Sequence, residues 1–321
     1  MRYFRLPFIN PEWIKINSYF LLFETALFDK DNFKSYIFFN PIKVIKINSS
    51  GRLKEAFEMI ERYAKRYYLA GYFAYELGYY FEKELFNPDP ISGYPLIHLC
   101  VFDNVISFDH RTGRLNKRIP NLFKEVSEEK EFQIKNLKIG FRKKDYIKKI
   151  KCIKQYIKKG DTYQVNFTTK FHFNFWGCPF SFYNDLKNRQ NVSYASFCKF
   201  KDEYIVSLSP ELFFKRQGEK IYSKPMKGTI RRGINIYEDK IKALTLKENQ
   251  KDRAENLMIV DLIRNDLGRI SKIGSIKVNR LFDIERYNTL FQMTSTVEGR
   301  LKKGITYFDI FKSLFPGGSV T

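Results

Sequence analysis

Several signals are missing from this sequence, and each absence excludes a class. The four cysteines, Cys100, Cys152, Cys178 and Cys198, are widely spaced and form no C-x-x-C pair, so neither a zinc site nor a dithiol redox motif is indicated. None sits in a Gly-x-Cys-x-Gly turn, so the nucleophile of a glutamine amidotransferase is not in this chain. Reduced thiols in a cytoplasmic protein are the simpler reading. No apolar run reaches membrane-spanning length, and Glu24 interrupts the patch FLLFETALF. The opening MRYFRLPFINPEWIKI lacks the continuous apolar stretch and small-residue cleavage site of a secretory signal. There is no internal repeat, low-complexity tract, RNP, helix-turn-helix or zinc-finger signature.

Acid is also scarce: 35 Asp and Glu against 57 Lys and Arg leave a net charge of +22. Such a balance fits a polyanion partner. The excess lysines are spread along the chain, however, and Lys, Ile, Asn, Phe and Tyr are all encoded by AT-rich codons. Biased composition is therefore the better account. With 321 residues, 44% of them hydrophobic, the chain can bury the core of one large or two modest domains.

The first 135 residues read as mixed strands and helices. Ser35–Ile47 gives two short strands broken at Pro41. Leu53–Tyr68 gives a helix, Leu96–Phe108 a buried strand pair, and the turn begins at His110. The charged run from Lys124 to Lys130 reads as a connector. Further on, Asp145 is a candidate N-cap for a helix with Ile147, Ile150, Ile153 and Ile157 at helical spacing, ended by Gly160. Tyr163, Val165 and Phe167 then alternate with Gln164, Asn166 and Thr168, the pattern of a half-buried strand.

The stretch SLSPELFFKRQGEKIYSKPMKGTIRRG reads as a hairpin turning at Gln217–Lys220. Glu211 and Lys227 are symmetric about that turn, directly opposite for a three-residue loop and one diagonal step apart for a two-residue loop. An acid and an amine are thus brought together, which by itself is equally the description of a surface ion pair. The stretch KENQKDRAENLMIVDLIRNDLGRI reads as a helix ended by Gly268, with Asp252 and Glu255 three apart on one face. Two such carboxylates suit a hard cation, and equally suit the positive end of a helix dipole.

Taken together and in order, GDTYQVNFTTKF, SLSPELFF, KPMKGTIRRG, DRAENLMIVDLIRNDLGRI, QMTSTVEGRL and FPGGSVT resemble the catalytic domain of the chorismate-utilising enzymes, among them the anthranilate and aminodeoxychorismate synthases. The likeness is dense from Asp145 to Thr321 and looser at FLLFET, AGYFAYELGYYFE and VFDNVISFDH. It implies an α/β (α+β) fold of stacked antiparallel sheets with outer helices. Residues 1–135 would form the N-terminal region and residues 140–321 the chorismate-binding catalytic domain.

Within that family, lysine at position 227 of PMKGT is the mark of enzymes that aminate chorismate to 4-amino-4-deoxychorismate, on the way to p-aminobenzoate and folate; anthranilate synthases carry a small residue there. The resemblance implies that Lys227 attacks the ring covalently and is displaced by ammonia, splitting one hard substitution into two. It implies that Glu211 protonates the departing hydroxyl, that Glu255 ligates Mg²⁺, and that Gly228 and Thr229 shape the backbone around the ring. Gln164 stands where the water-adding relatives place a lysine base, and so favours ammonia as nucleophile. The ammonia would come from a separate glutamine amidotransferase subunit.

Three departures matter. Gln292 stands where many relatives have histidine, so no histidine role carries over. Asn191–Tyr194 lacks the prolines of the tryptophan-feedback motif of anthranilate synthases. FPGGSVT stops inside a motif that continues in the family toward a second metal glutamate and an Arg-Gly-x-Tyr segment. On that ground the chain is expected to be C-terminally truncated, and inactive and poorly soluble alone. The alternatives to aminodeoxychorismate synthesis are anthranilate synthesis, and a remnant or half of a split enzyme.

Overall fold

The computed structural model describes residues 3–29, 31–82, 93–124 and 131–319. Most of the run Lys124–Lys130, and the last two residues of FPGGSVT, lie outside them. In chain order the elements are α1 (Pro11–Ile16), β1 (Tyr19–Glu24), β2 (Lys34–Phe39), β3 (Lys43–Ile47), α2 (Leu53–Ala64), β4 (Tyr68–Phe73), β5 (Ile97–Phe102), β6 (Ile106–Asp109), β7 (Arg114–Leu115), β8 (Phe132–Ile139), α3 (Lys143–Lys159), β9 (Phe171–Gly177), α4 (Pro179–Arg189), β10 (Tyr194–Phe200), β11 (Glu203–Ser209), β12 (Leu212–Gln217), β13 (Lys220–Lys224), β14 (Met226–Arg231), α5 (Ile236–Glu248), α6 (Gln250–Ile270), β15 (Lys277–Arg286), β16 (Leu290–Arg300) and α7 (Tyr307–Leu314).

Every strand pairing is antiparallel. One sheet has the order β11-β10-β1-β2-β6-β7, so two strands from the middle of the sequence add to the edge of four from its first third. A second has the order β12-β13-β16-β14 with β15 on β16, a third β3-β5-β4, and β8 pairs with β9 alone. Strand periodicity sorts the core. In β1, Phe20 and Leu22 face a cluster with α4 residues Phe180 and Tyr183. Leu21 faces the other way, onto Cys100 and Phe102 of β5. The six- and three-stranded sheets therefore stack through that second cluster. On the far side of the three-stranded sheet, α2 contributes Leu53, Ala56, Phe57 and Ile60, one helix face. The sheet around β16 is covered by α6 and α7. Stacked antiparallel sheets with helices outside are the expected architecture.

Local details differ from expectation. Leu96–Phe108 does supply two buried strands, but they part company: β5 joins the three-stranded sheet and β6 the six-stranded one. The helix begun at Leu53 stops at Ala64, because Tyr68–Phe73 is needed as a strand beside β5. Arg142, not Asp145, is the N-cap of α3; Asp145 lies in the first turn and pairs with Arg142 at 2.8 Å. Gly160 ends α3 in the left-handed conformation at φ 80°. Tyr163, Val165 and Phe167 form no strand, and Tyr163 and Val165 are 69% and 43% exposed; no partner strand lies along them among the described residues. The single helix read across Lys247–Ile270 is two helices broken at Asn249. The second runs through Gly268, since Leu267 and Ile270 are both buried against the sheet.

Among the described residues no helix is long and apolar enough to cross a membrane. All four cysteines are free.

Candidate active site

The hairpin turns through the two-residue loop Gly218–Glu219, with Gln217 paired to Lys220 and Gly218 at φ 62°. An irregularity between Leu212 and Lys215 brings Leu212 opposite Lys224. β13 and β14 follow one another along the same edge of β16, on either side of Pro225. Glu211, just ahead of β12, therefore lies beside Pro225 and Met226. Its carboxyl accepts hydrogen bonds from the Met226 backbone N–H and the Ser319 hydroxyl, and it feels the charge of Lys227. Its own N–H is held by the Ser209 hydroxyl at 3.2 Å. Burial pushes the Glu211 pKa above the usual carboxylate range, and these three favourable contacts only partly offset it. An acid held protonated at higher pH than normal can donate a proton to a leaving oxygen.

Lys227 stands on a β-bulge. Met226 pairs with Thr294 and Thr229 with Gln292, so Lys227 and Gly228 together oppose the single residue Met293. Gly228 has φ 87°, a left-handed conformation that glycine adopts without strain. The Thr229 side chain is exposed, and its hydroxyl donates to Gln292 Oε1 at 2.7 Å.

Asn249 caps α6 by accepting the Asp252 N–H at 3.0 Å, which sets the first turn of that helix against β14. Glu255 follows one turn later, half-buried, with Lys251 at 3.7 Å. The next residue, Asn256, is fully buried, and its Oδ1 accepts the Ser295 hydroxyl at 2.5 Å. The Ser295 N–H in turn donates to the Pro225 carbonyl at 3.1 Å, so α6 grips the strand immediately before the bulge. Among the described residues no group of three or more His, Cys, Asp or Glu is placed to hold a metal. Glu255 stands there as a single carboxylate, with the Lys251 ammonium as its charged neighbour.

The structure thus brings Glu211, Lys227 and Gly228 together, with Thr229 next on the same strand and Glu255 on the adjoining helix α6. Gln164 is not drawn in: it lies on the exposed stretch between α3 and β9, where its carbonyl accepts the Thr162 hydroxyl at 3.0 Å. Sequence reasoning did not find the Ser319 and Met226 contacts to Glu211, the bulge, or Asn256. None has a pattern signal, since each depends on register or on a contact with a segment distant in the chain. A cavity of about 290 Å³ opens beside Glu211, walled by Phe73, Phe213 and Ile263, with Ser223 and Asp266 adding polar atoms.

The chain belongs to the chorismate binding enzyme family, whose model matches residues 23–321. It is 33% identical over 282 residues to anthranilate synthase component 1 of Aquifex aeolicus, covering 79% of this chain and 57% of that one. To aminodeoxychorismate synthase component 1 of Escherichia coli it is 31% identical over 263 residues, covering 78% of this chain and 58% of that one. The chain thus spans a little over half the length of these curated relatives. The crystal structure of anthranilate synthase component I from Streptococcus pneumoniae superposes with a TM-score of 0.76 at 22% identity, covering 93% of this chain and 76% of that one.

Proposed function

We propose that the protein aminates chorismate to 4-amino-4-deoxychorismate, using ammonia supplied by a separate glutamine amidotransferase. The observation that carries this reading is the placement of Glu211, a half-buried acid, within reach of the charge of Lys227, an amine presented on a bulge. In its neutral form the Lys227 amine attacks the ring carbon next to the enol-pyruvyl diene, and the ring hydroxyl leaves. Glu211 gives that hydroxyl its proton, so water departs. Ammonia then adds where the hydroxyl left, the bond to Lys227 breaks, and the amine returns to its free state. Thr229 and Gln292, tied to each other, border the bulge and shape the site around the ring. Glu255 would hold a magnesium ion, which when bound anchors the substrate carboxylate and offsets its charge.

Similar proteins carry the names of both the anthranilate and the aminodeoxychorismate enzymes, and Lys227 is what favours the second. The test is incubation with chorismate, magnesium and ammonium, followed by product analysis and mapping of any covalent adduct. The expected product keeps its enol-pyruvyl group, and the adduct maps to the peptide containing Lys227. Lys227→Ala is expected to lower the rate by at least about a thousandfold. Anthranilate as product, or full activity in Lys227→Ala, would overturn the reading.

A further inference from the structure

Asp252 stands in the first turn of α6, where an acid is ordinarily accounted for by the helix dipole. Its side chain does more than face solvent. A Cβ added to Gly228 would lie 2.9 Å from the Asp252 Cβ, 3.2 Å from its Cγ and 3.3 Å from its Oδ1. The Asp252 side chain is therefore packed flat on the Cα of the bulge glycine. It is itself pinned, because its backbone N–H is the one that Asn249 caps. One turn on, Asn256 faces the same pair of strands through Ser295. The start of α6 thus braces β14 on both sides of Lys227, at Pro225 through Ser295 and at Gly228 through Asp252.

A bulge needs such a brace. It places two residues opposite one, interrupts the ladder, and can relax by sliding the register, which turns the bulged side chains to other directions. We propose that Asp252 is the positioning residue for Lys227: by packing on Gly228 it holds the bulge, and with it the direction of the lysine side chain. Shape, not charge, does this, because the contact is with a carbon atom of the backbone. The effect on the bulge follows from this geometry alone, whereas its consequence for catalysis rests on the reading of Lys227 as nucleophile.

Two variants of the full chain separate the possibilities. Asp252→Asn keeps the shape and removes the charge; Asp252→Ala removes the packing. Should the alanine variant fail to fold, Asp252→Ser takes its place. The first measurement needs no turnover: trace acylation of the folded protein, read by mass spectrometry as labelling of Lys227 relative to Lys224, which is held separately by Glu285. The ratio is expected to match wild type in Asp252→Asn and to change by about threefold or more in Asp252→Ala. An unchanged ratio in the alanine variant, or an equal change in both, overturns the proposal. The second measurement is kinetic. Asp252→Ala should lower kcat about tenfold with the KM for chorismate within about twofold of wild type, and Asp252→Asn should restore kcat. A raised magnesium requirement in Asp252→Asn would make Asp252 an ion ligand and also overturn it. If the labelling result holds while Lys227→Ala stays active, the nucleophile reading fails and the brace stands.

Discussion

Glu211 accepts the backbone N–H of Met226, the residue immediately before Lys227, although the strand it leads into is paired with β13 and not with the strand that carries the lysine. The acid reaches the amine because β13 and β14 run end to end along β16, so the outer strand β12 overhangs the junction at Pro225. Burial raises the Glu211 pKa, so the proton that the proposed reaction would draw on is present above the ordinary carboxylate range and is lost as pH rises through the raised value. Amination is accordingly expected to fall on the alkaline side of that titration, and Glu211→Gln to lower it by about a hundredfold. The stability effect has the same sign. Wild type is favoured while Glu211 is protonated and loses that contribution as pH rises through the folded-state pKa. Urea unfolding across this range should show Glu211→Gln gaining on wild type with rising pH, and a constant difference would show that the group is not buried as described.

Gly228→Ala should act twice. A left-handed φ of 87° strains any residue with a Cβ, and the added methyl collides with Asp252. A loss of about 1–3 kcal/mol is expected in chemical denaturation, together with loss of amination. Thr229→Ala, next to it but exposed, should change stability by only about 0.5 kcal/mol. Equal effects from the two substitutions would mean that the bulge is not a defined feature of the site.

How much of this was legible beforehand depended on range. The hairpin was legible because a two-residue turn fixes register over a few residues on either side; the irregularity that sets Leu212 opposite Lys224, and the break at Pro225 that puts Lys227 on β14 outside the hairpin, were not. The stacked-sheet architecture came from resemblance, not from periodicity. Alternation at Tyr163, Val165 and Phe167 was read as a strand, but a strand exists only if another lies beside it, and that information is not local. Gly268 looked like a helix stop, yet burial of Leu267 and Ile270 against the sheet carries the helix past it. Asn249, which splits the helix and aims Asp252 at the bulge, looked like any polar residue. The site residues were visible as motifs; what orients them lies in contacts between distant segments.

Lys187→Met tests the buried ion pair of the N-terminal sheet. Glu24 ends β1 with 7% of its side chain exposed, and both its oxygens take the Lys187 ammonium at 3.0 Å while Tyr183 donates at 2.7 Å. Removing only the lysine leaves a carboxylate in an apolar cluster with one neutral partner. A loss of about 3 kcal/mol is expected in denaturant unfolding. The double variant Glu24→Gln with Lys187→Met should recover part of it, and failure to recover would place the loss in packing rather than in the stranded charge.

His98 offers a separate acid-sensitive point, at the seam between the two stacked sheets. It is 3% exposed, its ring stacks on Phe200 at a centroid distance of 4.2 Å, and neither ring nitrogen has a hydrogen-bond partner among the described residues. The hydroxyl of neighbouring Tyr72 is likewise unpaired. Burial lowers the His98 pKa; Lys46 on the paired strand β3 lowers it further, and Glu203 on β11 opposes both. The folded protein therefore prefers the neutral ring. The contribution to stability is present above the unfolded-state pKa and is lost as pH falls through it toward the depressed folded value, because the unfolded chain takes up the proton first. His98→Leu keeps the apolar volume and removes both the titration and two unsatisfied nitrogens. Its unfolding midpoint should fall less than that of wild type between about pH 7 and pH 5. Parallel curves would mean that the ring is solvated or paired in solution, and the seam would then carry no acid sensitivity of its own.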